Sequence, residues 1–306
     1  MFSRRLTLGL AVGALAAFAA QPGFAQDWKA KYPELVFAVI PAENASTTVD
    51  RYQPLVDYLT KQIGVPVKLK VVADYAGVIE GQRSGQIHIG YYGPASYARA
   101  YVTGVKTEPF AVEVNADGTK AYYSVFYVKK DSPYQKIEDL KGKNLGLVDP
   151  NSTSGNNVPR FLLNKKGIDP DKFFGKVQYT GSHENAVIAL KDGTVDVAAN
   201  AWNNEEESNL KRMENKGTPG IKYSDYRIIE KSDPIVNSPI AYLSDLPADL
   251  KKTIADAMYN IDKNDKAAFD KFATGKYLPW VPVTHKEYEP VVDLIKFVDE
   301  LRKKKS

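Results

Sequence analysis

Short apolar runs of strand length alternate with stretches of helical spacing along most of this 306-residue chain. That alternation constrains the fold more than any other feature. Leu35-Val36-Phe37-Ala38-Val39-Ile40 is a continuous run ending at Pro41, the pattern of a buried strand. After a polar loop over 43–48, apolar residues recur at Val49, Tyr52, Leu55, Val56, Leu59 and Ile63. This is one face of an amphipathic helix, closed by Gly64 and Pro66. A strand over 67–72, a helix over 75–83 and a strand over 87–93 follow. Strand, helix, strand, helix, strand is the order of an α/β fold with a parallel sheet and crossover helices. In such sheets ligands sit beyond the carboxyl ends of the strands. The loop 43–48, Asp74-Tyr75 and Tyr91-Tyr92-Gly93 are thereby expected at one rim.

A helix over 95–102 leads to strands over 109–114 and 122–128, separated by the turn Asn115-Ala116-Asp117-Gly118. The α/β pattern then restarts, with a short helix at 137–140 and strands at 144–148, 177–180 and 195–199. Helices are expected at 158–166 and 186–190, and another is expected to start at Glu205-Glu206-Glu207. Strands at 226–229 and 238–242 precede a helical tail with segments from 245, around 267–272 and over 288–301. Two successive α/β units without a long linker predict two lobes, 26–121 plus 239–306 and 122–238.

The N-terminus differs from the rest. Arg4 and Arg5 precede an apolar, small-residue run over 6–20 and then Gln21-Pro22-Gly23-Phe24-Ala25. This order reads as a secretory signal cleaved after Ala25, too short in its apolar part to span a membrane. Ser3-Arg4-Arg5-Leu6 fits twin-arginine and general export equally. Loss of the two arginines lowers the formal charge from +4 to +2. Such a balance offers no footprint for nucleic acid or a membrane surface. The chain contains no cysteine, which excludes disulfides, thiolate metal sites, a cysteine nucleophile and a lipid-anchoring cysteine. His88, His183 and His285 lack metal-ligand spacing, so neither a metal nor another cofactor is expected.

The stretch richest in chemistry is Asp149-Pro150-Asn151-Ser152-Thr153-Ser154-Gly155, placed where a strand turns into a helix N-terminus. Free backbone N–H groups and the positive end of the helix dipole converge at such a point, and hydroxyls add donors suited to an oxyanion. Taken alone, a Ser-Thr-Ser after the turn-forming Asp-Pro-Asn is more often simply an N-cap. Ser182-His183-Glu184 and Trp202-Asn203-Asn204 lie at two more strand ends. Tyr75 could also be a first-turn surface residue behind the N-cap Asp74. Of Tyr91 and Tyr92 only one can face a cleft, since strand side chains alternate, and Tyr92 is the expected one. Trp202 is a lid or ordinary packing; His88 is structural.

Asp74-Tyr75-Ala76-Gly77-Val78-Ile79, Tyr91-Tyr92-Gly93, the run Asp149 to Gly155, Ser182-His183-Glu184 and Val195-Asp196-Val197-Ala198 occur in an order similar to that of the periplasmic binding proteins of phosphonate, phosphite and phosphate ABC importers. The likeness runs from about Leu35 into the tail. It implies a class II periplasmic binding protein: two α/β lobes joined by crossover strands, closing by a hinge on a ligand in the cleft between them. It implies a monomer that binds a small oxyanion and delivers it to a membrane permease. The family pattern puts the ligand oxygens on Ser152, Thr153, Ser154 and His183 and on tyrosines matching Tyr75 and Tyr92. No arginine lies in these loops, so neutral donors are expected to grip the anion. Carboxylates that hold an ammonium tail in some family members are replaced, in ungapped register, by Asn203 and Ser238, with Glu205 and Asp233 nearby. In that register the preference moves to phosphate, phosphite, methyl- or ethylphosphonate. An enzyme on the same fold would need Ser152 or Ser154 as nucleophile with His183 and Glu184 as base, without metal ligands or Arg/Lys clamps. A binder of sulfonates or other anions is a third reading; Asp149, Glu184 and His183, able to accept a ligand proton, favour phosphorus.

Overall fold

The computed structural model describes residues 28–303; the expected signal over 1–25 lies outside the described residues. The strands are β1 Leu35–Val39, β2 Val67–Val71, β3 Ile89–Tyr91, β4 Thr107–Asn115, β5 Ala121–Lys129 and β6 Asn144–Leu147. They continue as β7 Lys176–Tyr179, β8 Val197–Trp202, β9 Tyr226–Lys231, β10 Ile235–Val236, β11 Pro239–Leu243 and β12 Tyr277–Pro282.

These strands form two mixed sheets, in the orders β12-β4-β11-β3-β1-β2 and β10-β5-β8-β6-β7, with β9 also on β5. In the first sheet β1 pairs in parallel with β2 and β3, while β11 and β12 run antiparallel to their neighbours. The second repeats the plan, with β6 parallel to β7 and β8 and with β5 antiparallel to β8. The chain crosses from the first sheet to the second between β4 and β5 and returns between β10 and β11. Asn237 binds the crossovers together: its N–H donates to Lys120 O, and its Nδ2 donates to Glu113 O at 3.0 Å and Asn115 Oδ1 at 3.2 Å. This is a two-lobed, class II α/β architecture.

Why these residues form these elements is visible in the interior. Leu35, Phe37 and Ala38 of β1 are fully buried, as expected of a strand covered on both faces. The helix Ala45–Ile63 lays Tyr52, Leu55, Val56, Leu59 and Ile63 against the first sheet. Asn44 caps its start by accepting from Thr47 N–H, and Gly64, at φ 75°, ends it in the left-handed conformation. The terminal helix Glu289–Lys303 packs on Pro94–Val102 through Val291, Val292 and Ile295. It also touches the second lobe, where Phe297 meets Phe161 edge-on at 5.4 Å.

Four expectations are corrected. The helix over the expected polar loop 43–48 begins at Ala45, because Asn44 supplies the cap. Glu205-Glu206-Glu207 form bends and not a helix start; the helix runs Asn209–Asn215 behind Ser208, whose Oγ accepts from Lys211 N–H. The strand expected to end at Ala199 continues to Trp202, held by pairing with β5. Strand β12 was not anticipated, since Tyr277-Leu278-Pro279-Trp280-Val281-Pro282 carries two prolines; as an edge strand it tolerates them.

Candidate functional site

A cleft between the sheets encloses about 840 Å³ of non-atom space, including solvent at its open mouth. Strand ends β1, β3 and β8, and the loop after β6, all contribute to its wall, the placement expected for an α/β sheet.

At one end lies the hydroxyl loop. Ser152, Thr153 and Ser154 are each buried and open Thr153–Asn157, a single π-type turn that leads into the helix Val158–Lys165. Such turns are rare and cluster at functional sites. Ser152 Oγ accepts from Gly155 N–H at 3.1 Å, so the N-cap reading is correct as local structure. Thr153 Oγ1 accepts from Ala95 N–H of the opposite lobe at 2.8 Å. A hydroxyl whose lone pair is taken by an N–H keeps its proton to give away, so both side chains are set up as donors. Ser154 is anchored through its carbonyl, which accepts from Ser124 Oγ at 2.7 Å. Gly155 permits this tight loop: a Cβ there would sit 2.4 Å from Val148 Cβ.

Across from the loop, Tyr75 is 2 % exposed and lies beside Ser152, while its N–H donates to Asp149 Oδ2 at 3.4 Å. Tyr122 stands beside Thr153 and Ser154, and burial pushes its hydroxyl up to about 12. His183 opens the helix His183–Lys191, which Ser182 caps by accepting from Asn185 N–H. Burial, aided by the Arg212 charge, lowers the His183 imidazole to about 4, and its buried Nδ1 has no hydrogen-bond partner. The ring is therefore neutral at ordinary pH.

The choice of Tyr92 is corrected. Its ring points into the lobe interior, where its hydroxyl donates to Gln82 Oε1 at 2.8 Å. Alternation then turns Tyr91 into the cleft, edge-on to Tyr52 at 5.7 Å. Asn203 and Ser238 do line the cleft; Asn203 Nδ2 donates to Asn115 Oδ1 at 3.0 Å across the lobes. Trp202 is packing, ring against Tyr123 and Nε1 donating to Tyr223 Oη. His88 is structural, its Nδ1 accepting from Val36 N–H.

Beyond Tyr91 the wall is charged, which the loops alone did not foretell. Arg51 and Arg212 face Glu43, with Arg51 Nη1 donating to Glu43 Oε1 at 3.0 Å and Arg212 Nη2 3.7 Å from the same oxygen. Burial would raise the Glu43 carboxyl, but Arg212, Arg51 and Lys216 hold it at about 2. Glu113 of β4 lies beside the Tyr91 hydroxyl; burial pushes its carboxyl up despite Arg51 nearby. The absence of arginine from the expected loops thus does not extend to the cleft. Glu113 had a signal, being the lone charge within the apolar run Phe110-Ala111-Val112-Glu113-Val114. Arg51 and Arg212, on helices remote in sequence, had none.

Among the described residues no group of acidic, histidine or cysteine side chains is arranged to hold a metal ion, and no helix is long and apolar enough to cross a membrane.

The family model for the periplasmic substrate-binding protein of phosphonate ABC transporters matches residues 37–288. The phosphonates-binding periplasmic protein of Escherichia coli is 32% identical over 255 residues, covering 81% of this chain and 71% of that protein. The phosphate-import protein PhnD of Mycolicibacterium smegmatis is 30% identical over 277 residues, 85% of this chain and 84% of its own. Among solved structures, a binding-protein component of a phosphonate ABC transporter from Pseudomonas aeruginosa superposes with a TM-score of 0.76 at 28% identity, covering 87% of this chain and 86% of its own. Prochlorococcus marinus PhnD1, solved with methylphosphonate, shares the fold at a TM-score of 0.73 and 22% identity, covering 87% of this chain and 98% of its own.

Proposed function

This chain belongs to the family of periplasmic substrate-binding proteins of phosphonate ABC transporters, and we propose that it captures a phosphonate- or phosphate-type oxyanion on the Ser152-Thr153-Ser154 loop. It is a transport component and not an enzyme, working in the periplasm with a membrane permease. One observation carries the site assignment: two buried hydroxyls in the loop accept from N–H groups and so present their protons to the cleft. Tyr75 and Tyr122 stand beside them, His183 lines the same cleft, and Tyr91 takes the place expected of Tyr92 in the cleft wall. Asn203 and Ser238 face the ligand's remaining part.

Residues 26–121 with 239–306 and residues 122–238 act as two bodies that hinge at the paired crossovers held by Asn237. The mature protein begins after Ala25 and works as a monomer.

Titration calorimetry with methylphosphonate and inorganic phosphate tests the reading. Saturable binding without turnover is expected. Thr153→Val removes one donor to the anion and should weaken binding by about 1.5–3 kcal/mol. Affinity unchanged in this variant would reduce the loop to a helix cap.

A further inference from the structure

The charged end of the cleft has more hydrogen-bonding capacity than the protein itself uses. Arg51 Nη2, Arg212 Nε, Glu113 Oε1 and Glu207 Oε2 are all buried without a partner, and all four residues line the cleft. Buried polar atoms are normally paired, and each exception calls for a physical reason. Glu113 is 6% exposed and fixed on β4, and Arg51 is clamped by Phe272 O on its Nε and by Glu43 on its Nη1, so neither can turn to water for relief. Glu43 is already shared by three cations, Arg51, Arg212 and Lys216. The unused atoms divide evenly into two cationic donors and two carboxylate oxygens.

A tail bearing only an ammonium would meet Arg51 and Arg212, and one bearing only a carboxylate would meet Glu113 and Glu207. A tail with both charges satisfies both sets. We propose that the cleft selects a phosphonate or phosphate monoester whose tail is an α-amino acid, its carboxylate on Arg51 and Arg212 and its ammonium on Glu113 and Glu207. Asn203 and Ser238 leave the expected positions without carboxylates; β4 and the bend before Ser208 supply them from elsewhere. This inference rests on the oxyanion-binding reading above.

The test is a calorimetric series on the full mature protein: methylphosphonate, 2-aminoethylphosphonate, 3-phosphonopropionate and 2-amino-3-phosphonopropionate, with methyl phosphate and O-phosphoserine as the ester arm. A doubly charged tail should bind about tenfold or more tightly than its tail-less counterpart and than either singly charged tail. The arm in which this occurs identifies the linkage. Glu113→Gln should narrow the ratio between 2-amino-3-phosphonopropionate and methylphosphonate by about tenfold. If methylphosphonate and methyl phosphate bind as tightly as the amino-acid ligands, the tail assignment falls while oxyanion binding stands. If no member of the series binds, both fall.

Discussion

His183 offers a direct measurement of how deeply the cleft wall is buried. Its imidazole is lowered from 6.5 to about 4, first by desolvation and then by the Arg212 charge. Between those values the unfolded chain takes up a proton that the folded protein refuses, so stability falls as pH falls. The slope is about 1.4 kcal/mol per pH unit, giving about 3 kcal/mol over the whole window. Other groups contribute to the total. Glu113, Asp149 and Glu207 are pushed up by burial and gain stability on acidification, the opposite sign. Glu43, held at about 2, loses stability only below its ordinary value of 4.5. His88, also lowered by burial, adds to the loss. The contribution of one ring is therefore read from a difference. Urea denaturation of the wild type and of His183→Gln, from about pH 7 to about pH 4.5, should show the variant less stable at the upper end. The gap should close by about 2–3 kcal/mol towards the lower end. Parallel curves would mean that the ring titrates equally in both states and is not held neutral by burial.

Two further substitutions probe the loop and the closed cleft. Gly155→Ala puts a methyl 2.4 Å from Val148 Cβ and 2.8 Å from Ser152 Oγ, and should cost about 1–3 kcal/mol of stability while weakening methylphosphonate binding. Unaltered melting and affinity would show that the loop has room the structure denies. Lys216→Met removes a cation 3.3 Å from Glu43 and 3.2 Å from Glu184, a bridge between the lobes. Lys216 is 36% exposed, so stability should change by about 1 kcal/mol or less, while small-angle scattering should show a larger radius of gyration. A radius equal to that of the wild type would remove Lys216 from the closure contacts.

The sequence carried the α/β plan because apolar runs bounded by Gly and Pro are local signals, and the helix at 75–83 was legible to its last residue. Where signals compete, local reading failed. Glu205-Glu206-Glu207 look like a helix's acidic first turn, yet Ser208 is the better cap and the chain bends before it. The family pattern matches its second tyrosine to Tyr92, but the direction of a strand side chain is fixed by register. Pairing of β3 with β1 and β11 turns Tyr91 to the cleft. The hydroxyl loop was legible since its chemistry lies within seven consecutive residues. Arg51, Glu113 and Arg212 come together only after two sheets have formed and faced each other, and no local pattern encodes that meeting.

The charged wall also ties tail recognition to closure. Glu43 and Arg51 belong to the first lobe, while Arg212, Lys216 and Glu184 belong to the second. Glu184 Oε2 accepts both the N–H and the Nδ2 of Asn44 across the gap, at 3.0 Å each. Opening the cleft would leave Glu43 with Arg51 alone and would return Arg212, Lys216 and Glu184 to solvent. The oxyanion end is divided likewise, Thr153 meeting Ala95 and Asp149 meeting the Tyr75 N–H. A ligand shifts such an equilibrium only by its differential affinity for the two states. A bare oxyanion gains its closed-state contacts at one end only. A tail that engages Arg51 from one lobe and Arg212 from the other gains them at both, so tail chemistry should set the closed population as well as the affinity.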